Sequence, residues 1–284
     1  MSELLIPPVT WPDGKACALA LTFDFDAEEL WIGNDPADAS NPGVLAMGHY
    51  GARVGVPKIL ELLAEEALPA TFFVPGAVAE RYPGHVHAIL EAGHEVAHHG
   101  YSHVPADPEV PGLVEEQIDR GLEALDLVAG ITPAGYRAPD GVSSHLGLAT
   151  LTDRDFLYDS SLRDHFAPYR ITLEDGRPGP VEIPEQPTLD DWVYGSSSPT
   201  QYRVLQSKSH VLSIWQDEFT ELRSWGGSIT IVMHPQVTGR PIRLATLREF
   251  VAFTRSFDDV WYATCGDIAR HFALQEFSTA PEIG

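Results

Sequence analysis

The chain has 284 residues, of which 44% are hydrophobic, and it carries 41 acidic against 18 basic side chains, for a formal net charge of −23. This charge repels nucleic-acid phosphates and anionic lipid headgroups, so neither a nucleic acid nor a membrane is expected as a partner. The length and apolar content suffice for one sizeable core, and we predict a single domain over residues 1–284 with its core at about 15–270.

Short apolar runs typical of buried strands recur along the chain, and amphipathic segments long enough for helices separate most of them. The strand-like runs are ACALALTF, ATFFV, HEVAH, AGYRAP, FLYDSS, PVEIP, SITIVMH and VWYAT. The clearest helical segments are VPKILELLAEEAL, AVAERYPGHVHAILEAG, EVPGLVEEQIDRGLEALDLVAG and RLATLREFVAFTRSF. This alternation predicts an α/β fold of seven or eight strands, either a parallel (β/α) barrel or a doubly wound sheet.

Two segments interrupt the alternation and are predicted to be long loops, Ala27 to Ala52 and Arg163 to roughly Ser209. Loops of this length in a compact domain are usually functional or flexible. Trp31 and Trp192, with the adjacent acids at positions 190 and 191, are therefore candidates for lining a pocket. Anchoring of the loops to the core is the alternative interpretation of the two tryptophans.

Four histidines lie close together in HEVAHHGYSHV. His94 and His98 would share one face of a strand but stand roughly 13 Å apart, too far to bind one ion. His99 and His103 lie where the strand ends and the chain turns, so their imidazoles can meet. We therefore predict His99 and His103 as the functional pair and His94 and His98 as structural residues.

Other polar residues also stand at predicted strand ends, where catalytic groups gather in barrels of this type. They are Asp24, Asp26, Arg137, Asp159 and His234. One carboxylate and two imidazoles form a suitable ligand set for a divalent cation such as zinc, with one position open to water. The same donors suit cobalt, manganese or iron. The residue types thus predict a metal-dependent hydrolase.

In chain order, TFDFD, HHGYSH, GYRAPDG, LYDSSL and IVMHP resemble the motifs of the polysaccharide deacetylase family, also called the NodB-homology or carbohydrate esterase family 4 type. The resemblance implies a distorted (β/α) barrel that holds one divalent metal. By motif position, the metal ligands would be Asp26, His99 and His103. Asp24 would be the general base, and Arg137 would hold it.

The resemblance also implies that His234 is the general acid and that Asp159 orients it. Asp140 follows the proline of GYRAPDG, and a backbone N–H near it would contact the oxyanion of the substrate. The D-x-D form of the first motif and the segment HPQVTGRP resemble a subgroup that includes peptidoglycan-deacetylase-like proteins and cyclic imide hydrolases.

Three functions remain open at this stage. The first is N-deacetylation of an acetylated amino sugar or related small amide, and the second is ring opening of a cyclic imide or ureide. The third, a barrel that binds metal or ligand without catalysis, would need neither Asp24 nor His234. No export signal or membrane segment is visible, which predicts a cytoplasmic protein. We expect a small or short, neutral-to-cationic substrate in a partly closed pocket, and a homo-oligomer is compatible with the sequence.

Overall fold

The computed structural model describes residues 9–197 and 202–279, and in that part of the chain nine strands and twelve α-helices alternate. The strands are β1 (Cys17–Asp24), β2 (Thr71–Val74), β3 (Glu95–His98), β4 (Gly135–Tyr136), β5 (Tyr158–Asp159), β6 (Tyr169–Thr172), β7 (Pro178–Glu182), β8 (Ser228–Met233) and β9 (Val260–Tyr262). The helices are α1 (Glu29–Asn34), α2 (Pro42–Tyr50), α3 (Val56–Glu66), α4 (Gly76–Arg81), α5 (Pro83–Glu91), α6 (Leu113–Ala129), α7 (His145–Asp153), α8 (Trp192–Gly195), α9 (Lys208–Ser224), α10 (Pro235–Thr238), α11 (Pro241–Thr254) and α12 (Cys265–Thr279). None of these helices is long and apolar enough to cross a membrane.

The strands form one curved sheet in the order β6-β7-β5-β4-β3-β2-β1-β8, and β9 pairs with the first half of β1. All pairings are parallel except that of β6 with β7. A parallel bridge between Asp190 and Val232 joins the segment after β7 to β8. The sheet therefore forms a distorted, incompletely closed (β/α) barrel, which confirms the predicted fold class. The ninth strand is the antiparallel edge strand β6, which has no counterpart among the predicted runs.

The central strand β1 shows why these residues fold in this way. Every residue of the strand is buried, as expected for a parallel strand covered on both faces. Leu19, Leu21 and Phe23 pack in the cluster that contains the surrounding helices, whereas Ala18 and Ala20 pack in a second cluster inside the barrel. Large side chains thus fill the space between sheet and helices, and small ones fit the narrow interior.

The two segments predicted as long loops are in large part ordered secondary structure. The first contains α1, a 3₁₀ turn at Pro36–Ser40 and α2, which continues through a π-helical turn at Gly51–Gly55 into α3. The second contains β6, β7 and α8. The loop prediction was wrong because these elements are short, so they present too few residues for a clear period in hydrophobicity.

Candidate active site

Polar side chains from the carboxyl ends of β1, β3, β4 and β8 meet at a cavity of about 300 Å³. Parallel strands bring their carboxyl ends to one edge of a barrel, so residues far apart in sequence become neighbours there. The cavity is lined by Asp24, His99, His103, Arg137 and His234, among others. These five residues were all predicted from the sequence, and the structure brings them together.

Asp26, His99 and His103 form a fully buried group that we call the ligand cluster. Asp26 Oδ1 lies 3.5 Å from His99 Nε2 and 3.8 Å from His103 Nε2. Ligand atoms of a tetrahedral zinc ion stand roughly 3.3 Å apart, so these separations are close to those of a metal site. The cluster combines the oxygen and nitrogen donors that such an ion prefers.

The protonation of the cluster also suits a cation. His99 donates its Nδ1–H to the Arg137 carbonyl oxygen at 2.7 Å, which leaves the Nε2 lone pair free. Burial lowers the pKa of His99 to about 3 and also lowers the pKa of His103, so both imidazoles are neutral at pH 7. Both carboxylate oxygens of Asp26 are buried without a hydrogen bond, and burial raises the pKa of Asp26 well above its usual value. An unpartnered buried carboxylate is costly, and a bound cation would stabilise it.

Asp24 lies at the end of β1 and is held by a buried arginine. Arg137 Nη1 donates to Asp24 Oδ1 at 2.7 Å and to the Thr22 hydroxyl at 2.9 Å. The Ser160 carbonyl oxygen and hydroxyl accept from the remaining guanidinium nitrogens, which fixes the arginine in place. Burial raises the pKa of Asp24, but the charge of Arg137 outweighs this effect and lowers the pKa from its usual value. Asp24 is therefore ionised and oriented, as a proton acceptor must be.

His234 follows β8 and is held by Asp191. Asp191 Oδ1 accepts from His234 Nδ1 at 2.7 Å, and both Asp191 oxygens lie 3.1 Å from the His234 backbone N. The hydroxyl of Thr238 donates to Asp191 Oδ2 at 2.5 Å. Although burial alone lowers the pKa of His234, the hydrogen bond and charge of Asp191 raise it to about 10. His234 is therefore a protonated imidazolium at pH 7. The group formed by Asp190, Asp191 and His234 could also reach an ion, but the short bond to Asp191 occupies Nδ1.

The prediction that Asp159 orients His234 was wrong. Asp159 is fully buried, and its Oδ1 accepts from the Ser161 hydroxyl at 2.6 Å, whereas the acidic partners of His234 are Asp191 at 2.7 Å and Asp190 at 4.0 Å. Asp159 pairs in register with Glu182 on β7. Burial raises the pKa of Asp159 to about 6 and that of Glu182 well above its usual value. The Ser161 hydroxyl that donates to Asp159 also accepts from the backbone N–H of residue 138. Through this hydroxyl the acid pair holds the loops after β4 and β5 in place.

The residues predicted to line the pocket divide into two groups. Asp140 and Trp192 line the cavity. Trp31 does not, because it is buried behind Trp192 with the two ring centroids 5.9 Å apart. Sequence analysis did not identify Glu185, a buried cavity residue whose carboxylate lies 2.6 Å from Arg163 Nη2. The sequence named Asp190 and Asp191 only as candidates for lining the pocket, and Asp190 does line the cavity.

The two remaining histidines of HEVAHHGYSHV are structural. His98 is fully buried, its Nε2 donates to the Ile118 carbonyl oxygen at 2.9 Å, and its Nδ1 accepts from the Gly100 N–H at 3.0 Å. His94 packs against the ring of Phe72, with centroids 5.8 Å apart. Burial lowers the pKa of both histidines, which keeps the rings neutral. Neither ring belongs to the ligand cluster.

Comparison with known proteins places this geometry in a family. Residues 41–154 match the family model described as polysaccharide deacetylase. The chain is similar to a solved Mycobacterium smegmatis protein assigned to the polysaccharide deacetylases, with 41% identity, a TM-score of 0.90, and coverage of 95% of this chain and 94% of that one. It is 27% identical to the peptidoglycan deacetylase of Helicobacter pylori, over 91% of this chain and 97% of that protein. Puue allantoinase shares the fold, at 24% identity and a TM-score of 0.83 over 97% of this chain and 95% of that one.

Proposed function

Because this chain belongs to the polysaccharide deacetylase family, we propose that it is a metal-dependent hydrolase that cleaves the amide bond of an N-acetylated amino sugar or a related small amide. One arrangement carries the proposal. A carboxylate-and-histidine ligand cluster adjoins a cavity that also holds an ionised carboxylate, Asp24, and a protonated histidine, His234. Hydrolysis of an amide needs these two groups, one to take a proton from water and one to give a proton to nitrogen.

We propose one divalent ion, zinc in the first instance, as the resident of the ligand cluster. Asp26, His99 and His103 would hold it, and the donor types would also accept cobalt, manganese or iron. When bound, such an ion supplies Lewis acidity toward the scissile carbonyl and the attacking water. Metal content and activity after chelation and after reloading with each ion test this part of the proposal.

The proton transfers follow from the charge states of the two flanking groups. Asp24 takes a proton from the water whose oxygen forms the new bond to the carbonyl carbon, and Arg137 keeps that carboxylate ionised and oriented. His234 gives its Nε2 proton to the departing nitrogen as the carbon–nitrogen bond breaks, so nitrogen leaves as a neutral amine. Asp191 stabilises the imidazolium before the transfer and holds the ring afterwards. A backbone N–H beside Asp140 remains our candidate for contacting the oxyanion.

The cavity favours a small substrate over a long polymer. A volume of about 300 Å³ is at the lower end of the range for small-molecule sites, and Trp192 forms one wall. The acids Asp24, Asp140, Glu185 and Asp190 line it, and they are matched by the basic groups Arg137, Arg163, Arg203 and His234, which suits a molecule without net charge. The same observation supports the second candidate, ring opening of a cyclic imide or ureide, since that reaction uses the same proton acceptor and donor.

The deciding experiment compares initial rates on N-acetylglucosamine oligomers of increasing length with rates on a panel of cyclic imides and ureides. Turnover of the monomer or dimer without further gain with length would support a small acetylated sugar. Turnover of the cyclic panel alone would select the second candidate. Rates that climb steadily with chain length, with the cyclic panel inert, would contradict a small substrate. The cytoplasmic location stays a prediction, for which cell fractionation is the test.

A further inference from the structure

A second cavity adjoins the catalytic cavity at Trp192, which lines both. Its volume is about 370 Å³. We call it the rear cavity. The residues that decide its chemistry are Trp31, Met47, Trp192, Leu205, Arg240 and Arg243. None of them takes part in the proton transfers proposed above.

Two arginines of the rear cavity lack an acidic partner. Arg243 is 7% exposed, and its Nη2 donates to the carbonyl oxygens of Tyr194 at 2.9 Å and Gln206 at 2.7 Å, while its buried Nη1 donates to nothing. The guanidinium of Arg240 lies 3.6 Å from the ring centre of Tyr50. Among the described residues, no carboxylate lies within ion-pairing distance of either arginine.

This lack of pairing is unusual for this chain. Acidic residues outnumber basic ones 41 to 18, and most described arginines lie within 4 Å of a carboxylate. The acid that acts electrostatically on Arg243 is Asp191, but its oxygens already serve His234 and Thr238. A largely buried guanidinium without an anion is unfavourable. The positive charge of Arg243 can therefore be stabilised by an anionic ligand in the rear cavity.

The remaining walls of the rear cavity are apolar or aromatic. Trp31 and Trp192 pack at 55° to each other, and Met47 adjoins them. Leu205, which is 56% exposed, stands at the rim. The Nε1 of Trp31 is buried without a hydrogen bond. These surfaces fit a flat or aliphatic body and leave the arginines for a negatively charged end.

We propose that the rear cavity binds a small carboxylate with an aromatic or aliphatic body. The carboxylate pairs with Arg243 and Arg240, and the body packs on Trp31 and Trp192. The ring centres of Trp192 and His234 lie 5.2 Å apart. A ligand in the rear cavity would therefore contact Trp192, which itself contacts the proton donor His234. The proposal concerns a second binding site, and it does not depend on which amide the enzyme cleaves.

Isothermal titration calorimetry of the full chain with 3-phenylpropanoate, beside the uncharged 4-phenylbutan-2-one, tests the proposal. We expect the carboxylate to bind and the ketone to bind at least ~10-fold more weakly, because a charged hydrogen bond is lost. Arg243→Gln should weaken binding of the carboxylate by roughly 10–100-fold. Arg248→Gln, on the same helix but paired with Glu65 on the surface, is the matched control and should bind as the parent does.

A second variant decides the matter if Arg243→Gln fails to fold. Leu205→Glu changes an exposed rim residue and adds a carboxylate that repels the probe, so binding should be lost, whereas Leu205→Gln should retain it. Three results would overturn the proposal. They are absence of saturable binding, equal affinity for the ketone, and binding that persists in Arg243→Gln and Leu205→Glu but disappears on chelation. The last result would assign the probe to the catalytic cavity.

Discussion

Asp191→Asn is expected to lower kcat by a factor on the order of 10²–10⁴ and to move the alkaline limb of the kcat–pH profile to lower pH. The protein raises the pKa of His234 from 6.5 to about 10, with the hydrogen bond and charge of Asp191 as the largest favourable causes. That difference corresponds to about 5 kcal/mol in favour of the imidazolium. An asparagine keeps a hydrogen-bonding oxygen but removes the charge, so the imidazolium loses much of this stabilisation.

The direction of the pH effect follows because His234 is active in its protonated form. A histidine with a raised pKa is fully protonated below its unperturbed value and loses the proton as the pH rises through the raised value. In the parent protein kcat should therefore hold at neutral pH and fall as the pH approaches about 10. In Asp191→Asn the fall should begin at lower pH. The assay is kcat at saturating substrate across the pH range, with circular dichroism at each pH to exclude unfolding.

Two further variants serve as controls. Asp190→Asn should cause a smaller loss, since its Oδ1 lies 4.0 Å from His234 Nδ1 and accepts from the Trp192 N–H at 2.8 Å. Asp159→Asn should leave the alkaline limb in place and lower the melting temperature instead, because this acid is buried beneath the site. If Asp159→Asn moved the limb and Asp191→Asn did not, the assignment of the histidine's partner would be refuted.

Three other predictions address the ligand cluster and the core. Asp24→Asn should keep its metal and lose turnover by about 10²–10⁴, whereas Asp26→Asn should lose both, and equal metal loss measured by mass spectrometry would mean that both acids are ligands. His98→Ala should retain metal but lower the free energy of unfolding in urea by roughly 2–4 kcal/mol. His99→Ala should lose metal. The reverse pattern of metal binding would contradict the assignment of His99 to the ligand cluster. Gly135→Ala should destabilise by on the order of 3 kcal/mol or more, because its Cβ would lie 1.8 Å from a tyrosine ring on β5, and a neutral effect would show that the strands can separate there.

The local hydrophobic pattern of the sequence was enough to predict most of the strands. Each of the eight predicted strand runs became a strand, because an apolar run bounded by turn residues is a local property that burial reinforces. The residues that follow Phe23, His98, Tyr136 and Met233 then had to meet, since parallel strands end at the same edge. The separation of His98 from His99 was also readable, because successive residues on a strand point to opposite faces.

The partners of the site residues required the tertiary structure. Asp159 and Asp191 are both acids, and their local sequences give no reason to prefer one of them as the partner of His234. Register pairs Asp159 with Glu182 on the neighbouring strand, and the bridge from Asp190 to Val232 sets Asp191 beside His234. Such contacts depend on how distant segments pack.

The sequence by itself determined the class of fold, the strand ends that carry chemistry, and the kinds of donor available for a metal. It could do so because hydrophobic period and residue chemistry are carried by neighbouring residues. Only the tertiary structure decided which acid holds His234, that Trp31 stands behind Trp192, and that two arginines face a second cavity without an acidic partner. Those facts depend on distances between segments that are remote along the chain, and no local period encodes such distances.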